Sequence, residues 1–131
     1  MHTSIYAGLC GLMLCWLALQ TIKARRANKV RLGDGGVPEL QAAIRAHGNF
    51  AEYMPIVLIL LFLLEYNGVH PIVIHVVGSA FVAGRYIHAK GILTDNLRKR
   101  VQGMGFTLTI LLGLAIANIL FAGFKVFKLF V

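Results

Sequence analysis

Three polar residues lie in a stretch that otherwise reads as part of a membrane-spanning helix. Arg45, Asn49 and Glu52 belong to the segment AIRAHGNFAEYMP, residues 43 to 55, which leads into an apolar run ending at Leu64. An arginine or acid near the centre of a lipid-facing helix costs about 2.5 to 3.5 kcal/mol on insertion scales. Something must compensate these side chains, and an aqueous pocket that holds a polar ligand would do so and give them a function.

Helical periodicity predicts that these three residues share one face. At about 100° per residue, Arg45, Asn49 and Glu52 fall within about 60° of one another, with Tyr53 beside them. Arg45 is placed at the membrane interface, where its side chain can snorkel, and Glu52 lies about 10 Å deeper. His47 lies about 200° from Arg45, on the opposite side of the helix, as expected if it meets a neighbouring subunit.

A second polar group lies in the third apolar stretch. Arg85 is five residues before Lys90, roughly 7 Å inside the predicted helix end, and His88 shares its face. An arginine paired with Glu52 could simply hold two helices together. However, one acid cannot neutralise two arginines, so the cluster has an excess of positive charge. It also contains amide, imidazole and phenol groups. This cluster indicates a site for a small zwitterionic ligand with more than one carboxylate.

Composition predicts an all-α integral membrane protein. Of the 131 residues, 58% are hydrophobic and 14% charged, with a mean hydropathy of +0.75. A soluble domain of this size could not bury so much apolar surface. The apolar runs are continuous rather than alternating, so they predict helices. We expect residues 1–131 to form one domain, a bundle of four transmembrane helices at about 3–22, 39–65, 71–90 and 101–124.

Basic residues predict the orientation. Two segments are rich in them: Lys23, Arg25, Arg26, Lys29 and Arg31 after the first helix, and Lys90, Arg98, Lys99 and Arg100 around the third connection. The positive-inside rule puts both segments in the cytosol and both chain termini on the non-cytosolic side. Because the charges follow the first apolar stretch, we expect a retained helix rather than a signal peptide.

The net charge of +8 is explained mainly by this topology and by anionic lipid headgroups. A basic cytosolic rim would also attract an anionic substrate. The sequence contains no nucleic-acid-binding motif and no metal-ligand spacing. Cys10 and Cys15 lie five residues apart on one helix and point in different directions, so we predict that they are small packing residues.

The sequence resembles the MAPEG family, the membrane-associated proteins in eicosanoid and glutathione metabolism. The resemblance rests on ARRANKVRLGDGGVPELQAAIRAHGNFAEYMP, residues 24 to 55, and on AGRYIHAKG, residues 83 to 91. It is strongest to the short bacterial members. It implies a four-helix bundle in the bacterial inner membrane, assembled as a homotrimer. It also implies one glutathione site at each subunit interface, open to the cytosol.

The resemblance assigns nine residues to glutathione, the implied co-substrate. Arg45 would hold a carboxylate, Asn49 and Glu52 the γ-glutamyl end, and Tyr53 would hydrogen-bond the tripeptide. From the third helix of the same subunit would come Arg85 and His88, and from the neighbouring subunit Arg25, Arg26 and His47. Two arginine anchors and one acid match the two carboxylates and one ammonium of glutathione.

In this family an arginine at the start of the fourth helix activates the thiol, because a nearby cation lowers a thiol pKa. The segment LRKRVQGM, residues 97 to 104, offers Arg98, Lys99 and Arg100. We favour Arg100, which directly precedes the predicted helix, with Arg98 as the alternative. Membrane anchoring alone would also explain the cluster. One departure is Ile92, which stands where many catalytic relatives have a tyrosine.

Three functions are open at this point. The first is a glutathione transferase or peroxidase that acts on a lipophilic electrophile or hydroperoxide entering from the lipid. The second is a non-catalytic glutathione-binding or scaffold protein of the same fold, which Ile92 favours. The third is a small multidrug transporter. Such exporters carry a coupling carboxylate in their first helix, and residues 3–22 contain no ionisable group of that kind.

Overall fold

The computed structural model describes residues 1–128 and consists of four α-helices. They are α1 (Thr3–Asn28), α2 (Pro38–Tyr66), α3 (Pro71–Leu93) and α4 (Leu97–Phe127). Each is long and apolar enough to cross a bilayer core of about 30 Å. Within residues 1–128 there is no β-strand. The predicted all-α architecture with four membrane-spanning helices is therefore confirmed.

The chain marks its helix ends with standard signals. Pro38 and Pro71 occupy the first turns of α2 and α3, where a missing N–H costs nothing. The Asn96 side chain caps α4 by accepting a hydrogen bond from the Lys99 N–H at 3.0 Å. At the end of α1, Lys29 adopts a left-handed φ of 54° and its N–H bonds back to α1 carbonyls.

All four helices are longer than predicted, α1 and α4 by the largest margin. The first continues six residues past residue 22, so that Arg25 and Arg26 lie in its last turn. The fourth begins four residues before residue 101, which places Arg100 inside α4 and not directly before it. The prediction of these ends was wrong because hydropathy marks where a chain leaves the hydrocarbon. The cap residues decide where its hydrogen-bonded helix stops.

Helices α2 and α3 form the centre of the bundle, since each of them packs against the other three helices, whereas α1 and α4 do not touch. The core contains fully buried side chains from several helices, including Leu17, Phe50, Val57, Ile74 and Phe81. Asn118 of α4 donates a hydrogen bond to the Leu60 carbonyl of α2 at 3.0 Å. Because α1 and α4 are apart, the position of each relative to the other is set by its contacts with α2 and α3.

Helices α3 and α4 approach so closely that side chains are excluded at their contact. A Cβ added to Gly103 would lie 2.5 Å from the His88 nitrogen and 2.6 Å from the Gly84 carbonyl oxygen. A Cβ added to Gly91 would lie 2.5 Å from the Arg100 nitrogen. Small residues allow this backbone contact between membrane helices. The start of α4 is thereby fixed against the end of α3.

The two ends of the bundle differ in charge. At one end, Glu65 accepts hydrogen bonds from the backbone N–H groups of His2 and of Thr3, the latter at 2.8 Å. At the same end, Lys125 donates to the Asn67 side chain at 2.7 Å. The start of α1 and the end of α4 therefore lie together beside the α2–α3 turn. The basic segments after α1 and around the α3–α4 connection lie at the opposite end, called the basic end below.

We predict that Gly103→Ala destabilises the protein, because its methyl group would overlap the α3 backbone. Overpacking of this kind costs about 1 to 3 kcal/mol. The measurement is the thermal unfolding midpoint in detergent. Gly105→Ala is the matched control, because nothing lies within 4 Å of a Cβ at that position. It should leave the midpoint unchanged or slightly higher, since alanine favours helix by about 1 kcal/mol. Equal midpoints for the two variants would contradict this packing.

Candidate functional site

A buried guanidinium lies between three helices near the basic end. Arg85 of α3 is 0% exposed. Its Nη2 donates to the Asn49 side-chain oxygen of α2 at 2.6 Å, and its Nη1 donates to the Thr107 hydroxyl of α4 at 3.2 Å. The Thr107 hydroxyl in turn donates to the Gly103 carbonyl at 2.9 Å. Within residues 1–128, the Arg85 Nε has no hydrogen-bond partner.

Aromatic rings complete the surroundings of this charge. The Arg85 Cζ lies 5.8 Å from the centroid of the Phe50 ring and 5.6 Å from that of Tyr53. Both distances allow an attraction between the cation and the ring faces. Arg85 thus meets groups of its own chain on the sides supplied by α2 and α4. Asn49 is also nearly completely buried.

A second charged group of the predicted site lies on the surface of α2. Arg45 Nη1 and Glu52 Oε1 form an ion pair at 3.2 Å, with side chains that are 61% and 51% exposed. The same exposed side of the helix continues with the apolar residues Ile56 and Ile59. The predicted polar face is therefore divided: Asn49 turns to Arg85 inside the bundle, whereas Arg45 and Glu52 point out of it.

A third group joins α3 to the start of α4. His88 Nδ1 lies 2.8 Å from the Arg100 carbonyl oxygen. A carbonyl oxygen can only accept, so Nδ1 carries the proton and Nε2 remains the acceptor of the neutral ring. His88 and Arg100 line a groove of about 420 Å³. Its other walls are apolar or small, and include Val101, Met104, Gly105 and Leu108.

The predicted contributors from a neighbouring subunit lie apart from these groups. Arg25 and Arg26 line a groove of about 560 Å³ at the end of α1. Part of Arg25 is already engaged, since its Nη1 donates to the Gly33 carbonyl at 2.7 Å. His47 is half-buried on α2. One chain thus brings together Asn49, Tyr53 and Arg85, pairs Arg45 with Glu52, and joins His88 to Arg100.

One member of the buried network, Thr107, was not predicted from the sequence. The available signal was a hydroxyl side chain in the apolar fourth helix, one turn after a glycine. Periodicity within α4 could not show that this turn lies beside Arg85.

Sequence comparison identifies the lineage of this bundle. The model of the MAPEG family matches residues 3–120, which include all of α1, α2 and α3 and most of α4. The chain belongs to the MAPEG family. Two relatives of this MAPEG protein are the inner membrane protein YecN of Escherichia coli strain K12 and its counterpart in strain O6:H1. Each is 38% identical over 119 residues, which is 91% of this chain and 91% of the relative.

The match confirms the resemblance noted in the sequence. All of the site residues described above lie within the matched part of this MAPEG protein. Family membership also places the chain among membrane proteins of glutathione and eicosanoid metabolism. The described residues contain no cluster of His, Cys, Asp or Glu side chains suited to a metal ion.

We predict that Thr107→Val destabilises this MAPEG protein by about 1 to 3 kcal/mol, because it leaves the buried Nη1 of Arg85 without its acceptor. The matched control is Thr109→Val, which makes the same chemical change at an exposed position two residues away. Thermal unfolding of both variants in one detergent measures the difference. If Thr107→Val unfolds at the temperature of the control, the Arg85–Thr107 hydrogen bond contributes nothing to stability.

Proposed function

We propose that this protein binds glutathione at the basic end of the bundle and uses it as co-substrate, as a transferase or peroxidase. The Arg45–Glu52 pair is the observation that supports this most directly. The two charges lie on a membrane helix and point out of the bundle, and within residues 1–128 each is the other's ion-pair partner. A ligand with carboxylates and an ammonium can replace this pairing, because it offers each charge an opposite partner.

A homotrimer is the assembly that we propose to enclose this site. The exposed side of α2 carries both charges and large apolar residues, so lipid cannot solvate it well. A second copy would cover the apolar part and leave an aqueous pocket around Arg45 and Glu52. Arg25, Arg26 and His47 would then come from that neighbour. The positive-inside rule places the basic end, and hence the pocket, in the cytosol.

Within one subunit, the residues divide into contacting and supporting groups. We assign Arg45 to a glutathione carboxylate and Glu52 to the α-amino group, with Asn49 and Tyr53 at the inner wall. Arg85 is buried behind Asn49 and donates to its side-chain oxygen. We infer that Arg85 acts through Asn49, by fixing its orientation and by adding positive potential behind the γ-glutamyl end.

Activation of the thiol is assigned to the start of α4. Its first turn contains basic residues and no acid, although a helix N-terminus already carries partial positive charge. A thiolate there would relieve this repulsion and would be favoured over the thiol. We favour Arg100 over Arg98 and Lys99, because the Arg100 side chain lines the groove that His88 also lines. His88 holds Arg100 in place through its hydrogen bond to the backbone carbonyl.

The chemistry that follows is nucleophilic attack by sulfur. The thiol loses its proton to solvent, and the thiolate electron pair forms a C–S bond while the leaving group departs with the bonding pair. With a lipid hydroperoxide, the thiolate would attack the distal oxygen and release the alcohol after protonation. A second glutathione would then convert the sulfenic acid to glutathione disulfide and water. The groove beside α4 is apolar, as a lipophilic acceptor requires.

A non-catalytic glutathione-binding protein is the second candidate, and Ile92 favours it. This side chain is 8% exposed and offers no hydrogen-bond donor beside the α3–α4 connection. Many catalytic members of the family have a phenol at this position. A small multidrug transporter fits less well, because α1 contains basic side chains at its end but no carboxylate along Thr3–Asn28.

We predict that glutathione added to the detergent-purified protein at neutral pH gives a saturable rise in thiolate absorbance. Arg100→Ala should abolish the rise, because the cation next to sulfur is lost. Arg45→Ala and Glu52→Gln should each weaken glutathione binding roughly 10- to 100-fold, since each removes one charge-assisted hydrogen bond. Calorimetry measures this affinity independently of the absorbance. Unchanged affinity in both α2 variants would disprove the proposed site.

Two controls make this experiment specific. Lys23→Ala removes a positive charge at the basic end from an exposed residue outside the proposed site, and should change neither readout. Arg98→Ala tests the register of α4. If it abolishes the absorbance and Arg100→Ala does not, Arg98 is the activating residue.

Turnover separates the two candidate functions. If Ile92 limits catalysis, the native protein should bind glutathione but convert lipophilic electrophiles slowly, and Ile92→Tyr should accelerate conjugation by supplying a hydroxyl near the thiolate. The measurement is the rate of conjugate formation at saturating glutathione, with Ile92→Phe as the control that adds a ring without the hydroxyl. Equal rates in the tyrosine and phenylalanine variants would show that the missing phenol is irrelevant.

A further inference from the structure

An apolar groove between α1 and α3 is not part of the site described above. It encloses about 600 Å³, and no α2 residue lines it. Because α2 packs against both α1 and α3, the groove opens on the side of the bundle away from α2. Its walls are formed chiefly by Leu9, Leu12, Met13, Trp16, Val82 and Ala83.

A lysine side chain lies where this groove approaches the basic end. The Lys90 Nζ is 5.6 Å from the centroid of the Trp16 ring and 5.9 Å from that of Tyr86, the two aromatic residues at this end of the groove. Within residues 1–128, the carboxylates in ion pairs are Glu52 and Glu65, and neither pairs with Lys90. The Lys90 ammonium therefore lies against two ring faces and forms no ion pair within residues 1–128, and Glu39 lines the same small cavity without pairing with it.

At the other end of the groove, the polar side chains have hydrogen-bond partners within the protein. The Tyr6 hydroxyl lies 2.8 Å from His75 Nδ1 and 3.2 Å from the Ser79 hydroxyl, so these polar groups satisfy one another. Ser79 precedes Lys90 by eleven residues, about 16 Å along a helix. That length is close to half of a hydrocarbon core of about 30 Å. The groove thus has the length of one leaflet, a cation at its interfacial end and an apolar interior.

We propose that this groove binds one acyl chain of an anionic glycerophospholipid, with the lipid phosphate against Lys90. The walls match an alkyl chain, and the unpaired ammonium matches a headgroup of net negative charge. A zwitterionic headgroup would bring its own cation beside Lys90 and lose that advantage. The site is independent of the proposed glutathione chemistry, because none of its residues belongs to that pocket.

The protein carries its own reporter for this site. Trp16 is the only tryptophan in the sequence, and it forms part of the groove wall. We would reconstitute the full chain in vesicles that contain either brominated phosphatidylglycerol or brominated phosphatidylcholine in a background of unbrominated phosphatidylcholine. Bromine on the acyl chain quenches tryptophan fluorescence at contact distance. The dependence of quenching on the fraction of brominated lipid gives the relative affinity of the two headgroups for the groove.

We expect brominated phosphatidylglycerol to be preferred about fivefold, the contribution of one basic residue near an anionic headgroup. Lys90→Gln should abolish this preference, and Lys90→Arg should retain it. Lys99→Gln is the matched control, because it removes a positive charge from the basic end on a helix that does not line the groove. It should leave the preference unchanged.

A second variant tests the apolar part of the site. Ala83→Phe should fill the groove and reduce quenching by both brominated lipids, whereas Leu112→Phe, at an exposed position of α4, should not. Equal quenching by the two lipids in the native protein, or a preference that survives in Lys90→Gln, would overturn the proposal. Shielding of Trp16 from both lipids would also overturn it, since a second protein chain would then occupy the groove.

Discussion

The hydrogen bonds of one buried guanidinium constrain how α2, α3 and α4 pack against one another. Arg85 donates to Asn49 on α2 and to Thr107 on α4 from its own position on α3, so a single charge connects three of the four helices. An unpaired arginine in hydrocarbon costs about 2.5 to 3.5 kcal/mol on insertion scales. If α2 or α4 moved away from α3, Arg85 would lose the hydrogen-bond acceptor that this helix supplies. The separation and rotation of these helices are constrained by that requirement.

The rest of the polar design follows from this constraint. Since Asn49 is turned inwards to Arg85, Arg45 and Glu52 are the two charged residues of the predicted polar face that remain on the outer side of α2, where they form an exposed pair. On the opposite flank, the glycine contacts and the His88 hydrogen bond press the start of α4 against α3. The basic first turn of α4 is thus set at a fixed height relative to Arg85. A mobile loop could not hold an arginine in so defined a place.

Much of this architecture could be predicted from sequence because its causes are local. Apolar runs of sufficient length give the four helices, and angular spacing places Arg45 and Glu52 on one face. The extent of α1 and α4 was not predictable from hydropathy, since Lys29 ends α1 through its left-handed backbone and Asn96 caps α4 through its side chain. The burial of Arg85 was also out of reach, because it depends on Thr107, twenty-two residues away on another helix. Such a contact is fixed by helix packing.

The chain order of the Arg85 network bears on how the protein enters the membrane. Helix α2 is synthesised before α3, so Asn49 is already in the bilayer when Arg85 arrives. The acceptor on α4 follows after a connection of only three residues, and the glycines allow that helix to pair with α3 at once. When α3 enters the membrane, Arg85 can therefore bond to Asn49 of the preceding helix, and it gains Thr107 when the next helix follows. The helices can therefore be inserted in chain order without exposing the Arg85 guanidinium to lipid chains in the absence of a hydrogen-bond acceptor.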